Sequence, residues 1–229
     1  MKKNKMMRAA SALLVAVLLT TSVISGTFAK YVTEKTGSDT ARVAKFGVEI
    51  TANGEMFSDK YVNVYGGNNA GDANLTVEAE EKVVAPGTTG ELVAMTIAGT
   101  PEVSVKVEYE ATLSLTGWEA KLDESATETK YYCPLEITVG KTTFKGLDYT
   151  TETNPVAAFE TAVEEAINGY TKEYGPNQVM ANVDAPEVSW VWNYIGNNDY
   201  ADTYLGDQAA KDNAATITLT VKTTVTQID

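Results

Sequence analysis

Thirty-one Asp and Glu residues stand against 18 Lys and Arg in this chain, and histidine is absent. A His-Glu-x-x-His zinc site needs neutral imidazole ligands, and Ser-His-Asp or Cys-His sites need an imidazole base. Neither can be built from these residues, and no glycine-rich phosphate loop ending in Lys-Ser or Lys-Thr is present. Two carboxylates about 5 to 10 Å apart suffice for glycoside hydrolysis, but among 31 acids the sequence selects no pair. The expectation is therefore no enzyme, no catalytic residue and no cofactor. The stretch from Gly196 to Asp207 gathers Asp199, Asp202 and Asp207, with Asp212 and Asn213 beyond it. Calcium takes such oxygens, yet the spacing departs from an EF-hand loop. A solvated surface loop is expected, with those three Asp residues as weak metal candidates and no metal anticipated.

Aromatic residues offer a second chemistry. Trp118, Trp190, Trp192 and Tyr194 could stack on sugar rings, but Trp190, Trp192 and Tyr194 share the face of Val188 at strand spacing, so interior packing is expected. Cys133 is the only cysteine, which excludes an intramolecular disulfide. Its neighbours Tyr131, Tyr132, Pro134 and Leu135 predict a buried free thiol.

The elements that would carry these residues are mostly strands. From Glu102 to Leu115 the residues Val103, Val105, Val107, Tyr109, Ala111, Leu113 and Leu115 alternate with polar ones, one face for core and one for water. The same alternation runs through Ala44, Phe46, Val48 and Ile50, through Leu75, Val77 and Ala79, through Leu135, Ile137 and Val139, and through Ile217, Leu219 and Val221. A further strand is expected over Glu91 to Ala98. Turn signals separate these runs at Asn53-Gly54, Gly66-Gly67-Asn68-Asn69, Pro86-Gly87, Gly99-Thr100-Pro101 and Gly196-Asn197-Asn198. One segment changes period: Val156, Phe159, Val163, Ala166 and Ile167 predict a short amphipathic helix over about 155–168, capped by Asn154, started by Pro155 and ended by Gly169. Glu160, Glu164 and Glu165 are expected to face water. The pattern is that of an all-β, antiparallel β-sandwich with one short helix inserted.

The N-terminus reads as an export signal. Lys2, Lys3, Lys5 and Arg8 precede an apolar run from Ala12 to Ile24, and Thr27-Phe28-Ala29 places small residues where a signal peptidase reads, so cleavage between Ala29 and Lys30 is expected. The run is too short to span a bilayer, which takes roughly 20 apolar residues. Removal of 1–29 takes away four of the basic residues and none of the acidic ones, leaving a formal charge of −17. No nucleic-acid partner is expected from such a surface. The division is then signal peptide 1–29, a polar N-terminal segment 30–43, and a single β-sandwich domain 44–229.

The apolar run leading into Gly26-Thr27-Phe28-Ala29 and Tyr31, then a polar segment leading into Ala44-Lys45-Phe46-Gly47-Val48, resembles the TasA/camelysin family. Ala85-Pro86-Gly87-Thr88 and the closing strand from Ala215 to Gln227 are similar as well. Members of that family are secreted by Gram-positive bacteria, processed by a signal peptidase of the SipW type, and build extracellular biofilm fibres. The resemblance implies a jelly-roll sandwich that polymerises head to tail, the freed strand Lys30, Tyr31, Val32, Thr33 and Glu34 inserting into the next subunit. Some members are described as metallopeptidases, and without histidine that activity cannot be carried over. The functional expectation is a secreted fibre subunit of the extracellular matrix or cell surface, whose partners are copies of itself, the signal peptidase during export and other matrix components. Without a cell-wall sorting motif near Asp229, attachment is expected to be non-covalent. The alternative is a monomeric carbohydrate-binding or adhesive cell-surface module, with a glycosidase a distant third.

Overall fold

The structure is a computed structural model and describes residues 42–51, 56–64, 75–92, 96–180, 186–194 and 196–228. The signal peptide, the cleavage point at Ala29 and Lys30, and the donor residues Lys30, Tyr31, Val32, Thr33 and Glu34 lie outside the described residues. The same holds for the turn signals Asn53-Gly54 and Gly66-Gly67-Asn68-Asn69. Two compact units divide the chain, Met1–Ala44 and Lys45–Asp229, and every described strand and helix belongs to the second.

In chain order the strands are β1 (Val48–Thr51), β2 (Ser58–Val64), β3 (Leu75–Val83), β4 (Thr89–Leu92), β5 (Thr96–Gly99), β6 (Val105–Thr116), β7 (Glu119–Ala120), β8 (Lys130–Tyr131), β9 (Leu135–Val139), β10 (Thr142–Lys145), β11 (Thr171–Tyr174), β12 (Val188–Trp192) and β13 (Thr216–Gln227). A 3-10 turn at Gly146–Tyr149 and helix α1 (Pro155–Asn168) separate β10 from β11, and helix α2 (Asp199–Ala209) separates β12 from β13. The pairings between these strands are antiparallel. They form a four-stranded sheet ordered β10-β9-β12-β4, a three-stranded sheet ordered β11-β6-β13, and two-stranded ribbons β1-β5, β2-β3 and β7-β8. The chain is thus the antiparallel all-β sandwich that the alternation predicts.

The core follows from that alternation. Val105, Val107, Tyr109, Ala111, Leu113 and Leu115 of β6 are buried, as are Leu135, Ile137 and Val139 of β9 and Val188, Trp190 and Trp192 of β12. Large rings hold the core together. Trp190 packs between Phe57 and Tyr61, with ring centroids 5.4 and 6.2 Å away, and Trp118 meets Trp192 at 5.7 Å. Buried indole N–H groups need partners: Trp190 Nε1 donates to the Met56 carbonyl at 2.8 Å and Trp118 Nε1 to the Thr216 carbonyl at 2.8 Å. Cys133 is fully buried, and burial pushes its thiol up to about 12. In the Ala85-Pro86-Gly87-Thr88 turn, Gly87 takes the left-handed conformation (φ 86°). The buried Thr88 hydroxyl donates to the Ala85 carbonyl at 2.7 Å and accepts from the Ala85 N–H at 3.0 Å.

Helix α1 forms where the change of period places it. Asn154 accepts from the Ala157 N–H, Pro155 opens the first turn, and the Gly169 N–H donates to the Glu165 carbonyl at 2.9 Å. Phe159, Val163 and Ile167 are buried. Glu165 is exposed as expected, but Glu160 and Glu164 are half-buried and turned to β6. Glu160 accepts from the Leu115 N–H at 2.7 Å, Glu164 from the Leu113 N–H at 2.7 Å and Asn168 from the Ala111 N–H at 2.6 Å. Four helical residues advance about 6.0 Å and two strand residues about 6.8 Å, so side chains four apart on α1 meet amides two apart on β6. The helix thereby caps the β6 edge beyond the short β11, which pairs only with Val105 to Glu108.

Four other expectations are corrected. The stretch holding Asp199, Asp202 and Asp207 is helix α2, not a loop. The Asn198 side chain caps it by accepting from the Ala201 N–H, and the first-turn acids Asp199 and Asp202 suit the positive end of the helix dipole. The described ends of the Glu91 to Ala98 stretch belong to two different sheets: β4 pairs with β12 and β5 with β1. Strand β1 begins only at Val48, leaving Phe46 44% exposed. Strand β12 ends at Trp192, so Tyr194 is 55% exposed and outside the core.

Candidate functional site

Strand β13 is where sequence and architecture combine. Its sequence Thr-Ile-Thr-Leu-Thr-Val-Lys-Thr-Thr-Val-Thr-Gln is dominated by β-branched residues, which favour extended backbone. All 12 residues pair with β6, from Thr216 opposite Thr116 to Gln227 opposite Val105. The odd-numbered amides of Ala111, Leu113 and Leu115 are turned to α1. Adjacent residues of a strand direct their amides to opposite edges, so the even-numbered β6 residues face β13. The register then puts Ile217, Leu219 and Val221 with their N–H groups toward the opposite edge of β13. Among the described residues no strand lies there. The other outer strands of the two larger sheets, β4, β10 and β11, have four residues each, and the longest ribbon strand, β3, has nine, so β13 is the longest outer strand in the described fold.

The apolar row of β13 is also incompletely covered. Ile217, Leu219, Val221 and Val225 are only half-buried, whereas their β6 partners Leu115, Leu113, Ala111 and Val107 are buried. The sequence predicts a core strand, and the structure supplies the inward face without a full cover for it.

Beside the first half of this row lies a cavity of about 530 Å³, within the range that holds a small ligand or a large side chain. Its described walls include Val83 at the end of β3, Pro86 after it, Trp118, Trp192, Leu205 of α2, and Ile217 and Leu219 of β13. The wall is mostly apolar, with Glu81, Lys82 and Asp202 as its charged points. Asp202 accepts from the Tyr132 hydroxyl at 2.7 Å, and that hydroxyl in turn accepts from the Asn198 N–H at 3.1 Å. Asn198 also donates to the Leu122 carbonyl at 2.7 Å, so α2 is tied to the sandwich at its first turn. Burial lifts the Asp202 carboxyl above its ordinary value, opposed by the Tyr132 hydroxyl and the nearby Trp192 indole and reinforced by Asp199. The Trp192 N–H lies close enough to favour the carboxylate but outside hydrogen-bond geometry, and it has no other partner. Burial is likewise the main reason the Tyr132 hydroxyl is held far above its ordinary value, with Asp202 adding to it.

Of the residues singled out by sequence, Asp199 and Asp202 share the first turn of α2 and Asp207 follows toward its end. Among the described residues no group of three or more His, Cys, Asp or Glu could hold a metal ion. Trp118, Trp190 and Trp192 are buried and present no flat platform to a polysaccharide. The capping row of α1 escapes the sequence reading, although Glu160, Glu164 and Asn168 recur every four residues on a flank of the helix. Asn198 followed by two acids is likewise a helix start that reads as a loop when only the acids are counted.

No family model matches the chain, and neither a curated protein nor a solved structure shows detectable similarity to it.

Proposed function

We propose that the chain is a secreted, non-enzymatic structural subunit of extracellular, biofilm-type fibres. Subunits join head to tail when the N-terminal segment of one, freed by cleavage after Ala29, adds as a strand to the next. The observation that carries this reading is the 12-residue strand β13, whose outer edge meets no other strand among the described residues and whose apolar row is half-buried. Long open edges are liabilities that folded proteins usually cover, since each presents a row of backbone donors and acceptors to any passing strand. An added strand satisfies that row and completes the cover of Ile217, Leu219 and Val221. Because donor and acceptor surfaces differ, the contact is heterologous and propagates instead of closing. The formal charge of −17 keeps subunits apart at low ionic strength, and salt or mild acid lowers that repulsion.

The test compares the mature chain, starting at Lys30, with a chain lacking residues 30–41 by light scattering and negative-stain microscopy across salt. Filaments from the mature chain and folded monomers from the truncated one are expected. Filaments from the truncated chain would refute the donor role, and monomers from both would refute the fibre reading.

A further inference from the structure

The fibre reading leaves open which way the added strand runs, and the cavity beside β13 decides it. We propose that this cavity is the seat of Tyr31 from a second copy, so that the donor segment lies parallel to β13 with its first residues beside Ile217 and Leu219. This inference rests on the fibre reading.

The segment from Lys30 to Ala41 has the same length, 12 residues, as β13, and the described chain resumes at Arg42. A strand of that length laid on the edge has two polarities, and they place different residues at the cavity. The cavity adjoins the N-terminal half of β13, being lined by Ala214 to Leu219. An antiparallel donor would bring Ser38, Asp39, Thr40 and Ala41 to that end, small or charged groups that leave an apolar space of about 530 Å³ unfilled. A parallel donor brings Tyr31, the one aromatic residue of the segment, against Trp118, Trp192, Leu205 and Ile217. Tyr pairs an apolar ring with a hydroxyl that must find an acceptor when buried. Asp202 on the cavity wall supplies a carboxylate with an oxygen left over from its bond to Tyr132. Charge agrees as well. Cleavage gives Lys30 both an α-ammonium and a side-chain ammonium, while the described wall carries two acids, Glu81 and Asp202, against one cation, Lys82. Parallel pairing is slightly weaker per residue than antiparallel pairing, and burial of the ring offsets that difference.

Two pairs of cysteines read the polarity directly. In mature chains carrying Val32→Cys with Thr218→Cys, oxidation of filaments is expected to give a ladder of disulfide-linked subunits on a denaturing gel. Chains carrying Thr40→Cys with Thr218→Cys are expected to remain single. The native Cys133 does not compete, being fully buried with its thiol pushed up to about 12. Tyr31→Ala is expected to raise the protein concentration needed for filaments at least tenfold while Tyr31→Phe raises it less, both with unchanged monomer melting. A ladder from the Thr40→Cys pair and none from the Val32→Cys pair, or filaments of Tyr31→Ala at the wild-type concentration, would overturn the anchor while leaving the fibre reading intact. Absence of filaments from the wild-type mature chain would overturn both.

Discussion

Replacing Glu164 by alanine tests whether α1 caps the β6 edge or merely rests near it. The Glu164 carboxylate accepts from the Leu113 N–H at 2.7 Å on the partly buried edge of β6. Removing it strands that amide, which costs about 1–3 kcal/mol for an unsatisfied buried donor. Alanine returns a few tenths of a kcal/mol at most in helix propensity, since Glu is itself a good helix former. A net loss of about 2 kcal/mol in a unit the size of Lys45–Asp229 lowers the melting temperature by roughly 4–8 °C. Glu164→Gln keeps an acceptor oxygen but loses its charge, and because bonds to charged groups contribute about 1 kcal/mol more than neutral ones, it should fall between wild type and Glu164→Ala. Glu165→Ala supplies the control: it sits on the same helix, is exposed, and should change stability by less than about 0.5 kcal/mol. Thermal melts of the four proteins in one buffer give the comparison. Equal melting for Glu164→Ala and Glu165→Ala would refute the capping argument, and with it the reasoning that leaves β13 as the long open edge.

Two further outcomes follow from the geometry. Gly90→Ala should destabilise the fold by about 1–3 kcal/mol through overpacking, because a Cβ there would meet the Met56 carbonyl and lie 2.6 Å from Trp190 Nε1, disturbing the bond between those two groups; a wild-type melting temperature and unchanged tryptophan emission would contradict it. Asp202 has its folded value raised mainly by burial, so its contribution is fully present below the ordinary carboxylate range and is lost as pH rises through the folded value. Asp202→Asn removes that loss while leaving an oxygen for Tyr132, and its melting temperature should therefore gain on wild type as pH rises from the ordinary carboxylate range through the raised folded value, where a constant difference would count against the assignment.

The sandwich was legible because two-residue alternation survives wherever one face of a strand is buried and the other wet, as along β6. Helix α1 was legible for a related reason, its period changing between a cap and a terminating glycine. What failed to show in the sequence depended on distant partners. Nothing local to Glu160 and Glu164 distinguishes a solvated carboxylate from one facing the amides of Leu115 and Leu113, some 45 and 51 residues earlier. The half-buried state of Ile217, Leu219 and Val221 is likewise invisible in their alternation, because periodicity reports which way a side chain points and not whether anything covers it. Asp199 and Asp202 misled for the opposite reason: acids near Asn and Gly look like a loop, yet in the first turn they support a helix. The open edge was therefore the least legible part of the candidate site, since it is defined by which strands the fold places beside β13.

The account's central claim is that the β13 edge accepts a strand, and amide hydrogen exchange measured in monomers and in filaments of the mature chain tests it most directly. The register directs the Ile217, Leu219 and Val221 amides to the open edge and those of Thr218, Thr220 and Lys222 to β6. Assembly should slow exchange at the first three by at least about 100-fold, the scale of a newly formed and stably buried backbone bond, while the second three are protected in both states. Unchanged exchange at Ile217, Leu219 and Val221 in filaments, with new protection on β4 or β10 instead, would contradict the account.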